Sequence, residues 1–292
     1  MSQTSRNTIN LEDAKVVEHK CYSDQQYVLR LYAPLTAKEA MPGNFIHLQC
    51  DHSIPMRRPM SIMRAEPDKG FIDILYKVHG EGTELLSKKC QGDRLNLLGP
   101  IGVPFKSTGY RKLPLLLGGG VGIPPMVFLA EHIKNNHKNC KPLLIAGSEI
   151  SFPFQVTPSK IMVDGLPDGV IASMPLMEDW GIPSRLTSKQ GYTGCYDGFV
   201  TDLAKIWLDT LDPERLQQVE IFSCGPTIML EAVAKLAHKY HLPCQVSLEE
   251  YMACAVGGCA GCTVMVNTES GQAMKRVCVD GPVFEAGTVF PQ

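Results

Sequence analysis

Short apolar segments of alternating pattern open the chain: Tyr27-Val-Leu-Arg-Leu-Tyr32, Phe45-Ile-His-Leu-Gln-Cys50 and Phe71-Ile-Asp-Ile-Leu-Tyr-Lys-Val78. Side chains that alternate between two faces fit half-buried strands. Turn residues punctuate them at Pro42-Gly43, Asp68-Lys69-Gly70, Gln91-Gly92-Asp93 and Gly99-Pro100. Many short strands spaced by turns predict an antiparallel β domain, a barrel or a sandwich, from 12 to about 106. At Leu113 the pattern changes. Leu113-Pro-Leu-Leu-Leu117 is a continuous apolar run, suited to a strand buried on both faces. A glycine-rich turn follows, then a helical pattern from Met126 to about Asn135 and a second apolar run, Pro142-Leu-Leu-Ile-Ala146. This is the order of a βαβ unit and predicts a parallel sheet. A strand at Val219-Glu-Ile-Phe-Ser-Cys224 and a helix over Thr227–Tyr240 continue it, while 148–196, with its prolines and glycines, reads as an extended surface excursion. The expected organisation is multidomain: an antiparallel β domain over 12–108, a parallel-sheet α/β domain over 109–243 and a small cysteine-rich module over 244–292.

Composition narrows the function. With 44% hydrophobic and 20% charged residues, the 292-residue chain has the make-up of a soluble globular protein. Its net charge of −2 gives no case for nucleic acid or an anionic membrane surface. The polar start, Met-Ser-Gln-Thr-Ser-Arg-Asn, has no apolar signal core, and the run at Leu113–Leu117 is far too short to span a bilayer. Eleven cysteines are present, and those outside the C-terminal module are scattered. That does not read as a disulfide framework, and a reducing cytoplasm is the expected setting.

The strongest chemical signal is Cys254, Cys259, Cys262 and Cys278, spaced C-x4-C-x2-C-x15-C. The first two gaps match plant-type [2Fe–2S] ligand spacing. A four-cysteine zinc site more often uses two tight C-x2-C pairs, and only one such gap exists here; buried structural thiols are the third reading. Glycines and alanines between the ligands allow a loop to bring its backbone close to a metal centre. Further upstream, Gly118-Gly-Gly-Val-Gly-Ile-Pro-Pro125 lies between a strand and a helix. Such a turn suits phosphate binding, with backbone amides exposed and a proline in the first helical turn. Its plainer reading is a tight βα turn. Cys224-Gly225-Pro226 ends a strand at the edge where open α/β sheets bind ligands. Cys224 is a candidate neighbour of a nicotinamide ring or simply a small buried side chain. In the β domain, Arg57-Arg-Pro-Met-Ser-Ile62 offers a guanidinium for a diphosphate and a hydroxyl for a flavin, and Leu75-Tyr-Lys-Val-His-Gly-Glu-Gly-Thr83 offers a tyrosine ring and an amide-exposing Gly-x-Gly-Thr turn ahead of a short helix over Thr83–Lys88.

In this order the motifs resemble those of the ferredoxin–NADP reductase superfamily. With Arg57-Arg-Pro-Met-Ser-Ile62, Val246-Ser-Leu-Glu-Glu250, Met252-Ala-Cys254 and Val277-Cys-Val-Asp-Gly-Pro-Val-Phe284, the chain resembles the electron-transfer subunits of the NAD-linked, heteromeric dihydroorotate dehydrogenases from about residue 12 to 284. The resemblance implies FAD on the barrel, NAD(H) on the α/β domain and a [2Fe–2S] cluster held by the four cysteines. It implies FAD contacts at Arg57, Arg58, Pro59, Met60, Ser61, Leu75, Tyr76, Lys77, Gly82 and Thr83. Dinucleotide contacts are expected at Gly119, Gly120, Gly122, Pro124, Cys224, Gly225 and Pro226. It implies as partner an FMN-containing catalytic subunit that oxidises dihydroorotate to orotate in pyrimidine synthesis, in a heterotetramer. Three departures stand out. Ala255 replaces the family's glycine after the first cysteine, where a positive φ strains alanine. The segment before Gly198 lacks the family's Asp-Gly-Ser, and the tail beyond Glu285 runs past the usual end.

No side-chain acid or base is expected to perform the chemistry, because the cofactors carry it. Glu149, after the second strand of the α/β domain, favours NADH over NADPH by repelling a 2′-phosphate. Two alternatives stay open: service to another NAD(P)H-linked complex, such as a ferredoxin transhydrogenase, sulfide dehydrogenase or hydrogenase, or a non-catalytic regulatory role.

Overall fold

The computed structural model describes residues 9–291. They fall into two compact units, the first running to Phe105 and taking in Ser247–Phe284, the second formed by Lys106–Val246 with 285–291. Among the described residues, no helix is long and apolar enough to cross a membrane.

The first unit is built on β1 (Asn10–Tyr22), β2 (Gln26–Tyr32), α1 (Pro34–Glu39), β3 (Phe45–Leu48), β4 (Arg58–Glu66), β5 (Phe71–Lys77), α2 (Glu81–Ser87) and β6 (Arg94–Ile101). The strands close into an antiparallel barrel in the order β1-β2-β5-β4-β3-β6. The long β1 makes closure possible. Its first half pairs with β6, its second half with β2, and an irregularity between Val16 and Glu18 bends it from one partner to the other. Ala14, Val16, Leu29, Leu31, Ile46, Leu48, Ile62, Ile72, Ile74, Leu95 and Leu97 are buried as an aliphatic core. Each fully buried Val, Leu or Ile side chain among these contributes about 1.5–3 kcal/mol. Between β2 and β5, Arg30 holds Asp73 through two hydrogen bonds of 2.7 Å.

The cysteine module adds the hairpin β14 (Thr263–Thr268) and β15 (Gly271–Arg276), in register from Thr263↔Arg276 to Thr268↔Gly271, followed by the single turn α8 (Val277–Asp280). By its contacts it groups with the barrel, Ser247–Phe284 falling in the first compact unit. So short a segment buries too little apolar surface to hold a core of its own. Ser247–Phe284 is instead tied to the barrel: Val103 pairs with Pro282, Val103 N donates to Gly281 O at 2.5 Å, and Gly102 leaves room for Pro282, whose Cδ would lie 2.4 Å from an added Cβ.

The second unit contains β7 (Leu113–Gly119), α3 (Ile123–Asn136), β8 (Leu143–Gly147), β9 (Thr157–Pro158), β10 (Ala172–Ser173), α4 (Pro175–Trp180), β11 (Ser184–Thr187), α5 (Val200–Asp209), α6 (Pro213–Leu216), β12 (Val219–Cys224), α7 (Thr227–Lys239) and β13 (Cys244–Ser247), with β16 (Val283–Glu285) and α9 (Ala286–Val289) at the end of the chain. Its main sheet runs β11-β8-β7-β12-β13-β16, and β11, β8, β7 and β12 are mutually parallel. The chain builds outward from β7 in one direction through β8 and β11, then returns to β7's other side with β12. That reversal is the switch point at which open α/β sheets bind ligands. The excursion expected over 148–196 is more than a surface loop: it carries the small β9–β10 ribbon and then β11, a fully buried strand of the main sheet. A buried arginine within β11, Arg185, donates to Ser184 O at 2.7 Å and Ile161 O at 2.8 Å, which ties the excursion back to the sheet.

Candidate cofactor sites

Three groups of residues carry the candidate chemistry. On the barrel, β4 presents Arg58, Pro59, Met60 and Ser61 beside β3, with Leu48↔Arg58 and Phe45↔Ser61 in register. Arg58 Nη1 donates to Met56 O at 2.9 Å and Arg57 O at 3.2 Å. Its guanidinium lies against Gly82, where an added Cβ would come within 3.2 Å of Nε and Nη2. Beside it Thr83 Oγ1 accepts from His79 N at 2.7 Å and donates to Gly80 O at 3.1 Å, closing the turn ahead of α2. The fold therefore brings together the arginine and the Gly-Thr turn that the sequence separates, and a cation beside closely approachable backbone suits a diphosphate.

Arg57 faces elsewhere. Its guanidinium donates to Asn96 O at 2.8 Å and to Asn96 Oδ1, joining β4's entry to β6, and burial lowers its pKa. Its charge is thus engaged inside the barrel wall rather than offered to a ligand. Tyr76 also departs from expectation. Its hydroxyl meets His19 Nε2 at 2.9 Å and its ring stacks on Tyr27 at 5.3 Å, so the ring is not available to pack on an isoalloxazine. Burial, and then Tyr27, push its hydroxyl well above the usual tyrosine range. Leu75 is buried too, which leaves the main chain of this segment and the exposed Lys77 to meet a ligand.

At the switch point, β7 and β12 run side by side with Gly118 opposite Cys224. The glycine turn after β7 packs backbone to backbone on the turn after β12: a Cβ at Gly122 would lie 2.3 Å from Cys224 O and 2.5 Å from Gly225 N. Gly119 sits under Met229, 2.4 Å from its Sδ to an added Cβ, with Pro226 Cδ at 3.4 Å. Gly120 has φ +55° with nothing within 4 Å of an added Cβ, so its demand for glycine is conformational. Pro124 stands in the first turn of α3, where a missing N–H costs nothing. The two motifs predicted to bind a dinucleotide thus form one surface, with Cys224 buried beneath it. Sequence reasoning missed Met229, which caps both Gly119 and Gly225; its position in the first turn after Cys224-Gly-Pro was the available signal.

The cysteine loop holds one thiol pair and two sulfurs that accept from main-chain amides. Cys254 Sγ accepts from Cys259 N at 3.4 Å, and Cys262 Sγ donates to Cys278 Sγ at 3.4 Å. Cys259 Sγ in turn accepts from Gly261 N at 3.4 Å. Among the described residues, no three His, Cys, Asp or Glu side chains converge as on a single metal ion. Burial raises the Cys254 thiol, but the amides of Val256, Cys259 and Gly258 outweigh it and bring the thiol down to about 7. The deeper Cys278 is pushed up to about 12 by burial and then by Cys262. Ala255 (φ 54°), Gly257 (φ 82°) and Ala260 (φ 53°) all take the left-handed conformation, turning main-chain amides toward the sulfurs. Ala255 adopts the positive φ expected of it. A loop of thiols surrounded by inward-facing amides fits an iron–sulfur centre, which needs thiolate ligands and hydrogen bonds to its sulfurs. Gly257, one of the glycines between the ligands, also accepts a hydrogen bond from Arg276 Nη1 at 2.9 Å.

Residues 249–290 match the family model of the iron–sulfur cluster binding domain of dihydroorotate dehydrogenase B. Over 254 residues the chain is 35% identical to the dihydroorotate dehydrogenase B (NAD(+)) electron transfer subunit of Caldanaerobacter subterraneus subsp. tengcongensis, covering 87% of this chain and 88% of the relative. The corresponding subunit of Desulforamulus reducens is 30% identical over 279 residues, 95% of this chain and 97% of its own. Among solved structures, one describing an NADH-dependent reduced ferredoxin-NADP oxidoreductase superposes with a TM-score of 0.73 at 27% identity, covering 95% of this chain and 90% of that one. A ferredoxin NADP+ reductase from Neisseria gonorrhoeae, solved with FAD and NADP, shares the fold at a TM-score of 0.58 and 16% identity, covering 79% of this chain and 91% of that one. Barrel, switch-point sheet and cysteine loop therefore define an oxidoreductase with the FAD-binding, ferredoxin-reductase-like fold and an iron–sulfur binding domain. Within that class, the chain belongs to the electron-transfer subunits of the NAD-linked dihydroorotate dehydrogenase B family.

Proposed function

We propose that this chain passes electrons between an FMN-containing catalytic subunit, which oxidises dihydroorotate to orotate, and NAD, with a [2Fe–2S] cluster and FAD as its own carriers. Two electrons and two protons leave dihydroorotate; NAD+ takes up a hydride and one proton is released. FAD supplies the exchange between two-electron and one-electron transfer, and the cluster supplies the one-electron step. The protein's part is to bind and orient. In this reading Arg58 and the Gly82–Thr83 turn, which lie against each other, take the FAD diphosphate, and Ser61 and the main chain of Leu75–Lys77 take the flavin. The packed turns at Gly119–Gly122 and Cys224–Pro226 take the dinucleotide, a role their backbone-to-backbone contact supports. Glu149, exposed just beyond β8, disfavours a 2′-phosphate and so favours NADH. Cytoplasmic action as part of a heterotetramer belongs to this reading, and the scattered cysteines outside the loop suit a reducing compartment.

One observation carries the cluster reading: Cys262 and Cys278 lie thiol to thiol at 3.4 Å, and the Cys254 sulfur accepts from the main-chain N of Cys259, so four thiols share one amide-lined loop. A [2Fe–2S] centre takes two cysteines on each iron, a number that four thiols would meet. Affinity purification of the chain from its native host under anaerobic conditions, with cofactor analysis, tests the whole reading. The expected result is co-purification of a dihydroorotate-oxidising FMN subunit, one FAD per chain, a [2Fe–2S] electron paramagnetic resonance signal, and NAD+-dependent orotate formation. Recovery of only a hydrogenase, sulfide-oxidising or ferredoxin-linked partner would overturn the pyrimidine assignment. A preparation holding zinc in place of iron, with no cluster spectrum, would overturn the cluster.

A further inference from the structure

The three-cysteine loop carries no helix or strand between Tyr251 and Gly261, so its shape depends on what ties it down. The fourth ligand, Cys278, stands in α8 beyond the hairpin. Two stretches that meet only through a metal would each be free to drift in its absence. Here they are joined by protein contacts. Val277 N donates to Cys262 O at 2.9 Å. Arg276, the last residue of β15, donates from Nη1 to Gly257 O at 2.9 Å. The same arginine is held from behind: its main-chain N donates to Asp280 Oδ2 at 2.8 Å, and its Nε lies 3.8 Å from that oxygen. Lys275 Nζ, 3.7 Å from Asp280 Oδ1, completes a charge group with net positive sign.

Gly257 is shaped to receive this contact. Its φ of +82° turns the carbonyl toward β15's end, and an added Cβ would strike Val279 Cγ2 at 2.5 Å and approach Arg276 Nη1 at 3.4 Å. The Gly257 amide faces the Cys278 thiol. One peptide neighbourhood therefore links the guanidinium on one side to a ligand sulfur on the other.

We propose that Arg276 is a positioning residue for the iron–sulfur site, clamping the three-cysteine loop at Gly257 to the turn that carries Cys278 and placing a positive charge beside the metal centre. This rests on the reading of the four cysteines as cluster ligands. The clamp holds the ligand set together in the absence of metal and slows its loss when metal is present. The charge acts separately: a reduced cluster carries one more negative charge than an oxidised one, so a nearby cation raises the reduction potential. Lysine supplies the charge without the planar fork that spans Gly257 and Asp280, so the two effects separate on substitution.

The test compares the full-length chain with Arg276→Gln and Arg276→Lys. Retention of FAD serves as the folding check, the rate of cluster bleaching under excess iron chelator as the first readout, and the cluster midpoint potential by resonance-monitored titration as the second. Arg276→Gln is expected to lose its cluster on the order of ten-fold faster, the effect of one charge-assisted hydrogen bond, and to show a more negative potential. Arg276→Lys is expected to bleach nearly as fast as Arg276→Gln while keeping a potential close to wild type. A Gln variant that bleaches at the wild-type rate with an unmoved potential overturns the proposal. If the Gln variant fails to hold FAD, the Lys variant decides: fast bleaching at near wild-type potential supports the clamp, and wild-type bleaching overturns it. A wild-type chain that shows no cluster at all sinks the cluster reading itself, which distinguishes that failure from this one.

Discussion

The glycine turn proposed for the dinucleotide and the cysteine loop are both glycine-rich, yet they are held in opposite ways. The turn after β7 is locked by backbone packed on backbone: Gly122 lies directly on Cys224 and Gly225, at the ends of two paired parallel strands. The surface exists whether or not a dinucleotide is bound. The cysteine loop is itself neither helix nor strand and is tied by side-chain and amide contacts, with alanines as well as a glycine in the left-handed region. A phosphate site asks only for open amides at a rigid edge, whereas a cluster site must wrap its ligand. The first can be built from the core outward; the second takes much of its order from what it binds.

Gly122→Ala breaks the rigid member of the pair and should have the largest effect. Its methyl would meet Cys224 O at 2.3 Å and Cys224 C at 2.4 Å, main-chain atoms that cannot move without unzipping β7 from β12. Overpacking on this scale is expected to cost about 3 kcal/mol or more. Denaturant unfolding should show the loss of stability, and dinucleotide affinity should fall with it, while the barrel's FAD content is retained.

Removing iron probes the other member. Anaerobic chelation, or Cys254→Ser, should abolish the cluster signal and speed proteolysis of the loop around Val256–Gly261, yet leave dinucleotide binding by the second unit unchanged. Stabilisation by a bound group grows with its affinity and acts only where it binds. If chelation weakened the dinucleotide site as much as it loosened the loop, the two sites would not be held independently.

The same contrast explains what the chain's sequence disclosed. The glycine turn was legible because a buried run, four glycines and two prolines follow one another locally, and α3 begins at Ile123 with its prolines in the first turn. The cysteine spacing was legible because ligand number and gaps are dictated by the metal centre. What the sequence hid depends on tertiary contact. Arg57 and Arg58 are neighbours of identical type, but strand alternation sends one to Asn96 and the other to Gly82. Tyr76 looked like a flavin platform until the barrel gave its ring to Tyr27 and His19. β11 escaped notice because Ser184-Arg-Leu-Thr187 is short and half polar, its burial coming from the neighbouring sheet rather than its own apolarity. The clamp between Arg276 and Gly257 joins residues on either side of a hairpin, a pairing no local pattern announces.

His47 sharpens the comparison through pH. It stands on β3 of the unit that carries the cysteine loop, 1% exposed, with both ring nitrogens buried. Burial, and then the nearby charge of Arg57, lower it to about 4. An unfolded histidine titrates near 6.5, so between pH 6.5 and 4 the unfolded chain binds a proton that the folded chain refuses. Stability from this group is therefore fully present above pH 6.5 and is lost as pH falls toward 4, by up to about 3 kcal/mol. Unfolding monitored by flavin release should show this slope, and His47→Leu should flatten it. A His47→Leu chain with the wild-type slope would remove His47 from the account.

The smallest expected effect is the most diagnostic of how the cysteine loop is held. Ala255 is 1% exposed with φ 54°. Ala255→Gly relieves a left-handed strain of about 1–2 kcal/mol. It also frees the unfolded chain at a cost of about 0.4–1 kcal/mol and gives up a buried methyl worth about 0.8 kcal/mol. These terms nearly cancel, so stability and chelator-driven cluster loss should change by no more than about 0.5 kcal/mol, or roughly two-fold in rate. Gly257→Ala, two residues away, has no such cancellation, because its methyl would strike Val279 Cγ2 at 2.5 Å and crowd Arg276. It should bleach far faster than Ala255→Gly. If the two variants lost their clusters equally fast, left-handed backbone alone would govern the loop. A wide gap between them would show that the loop is held through Gly257, while at Ala255 burial of the methyl compensates for the strained conformation.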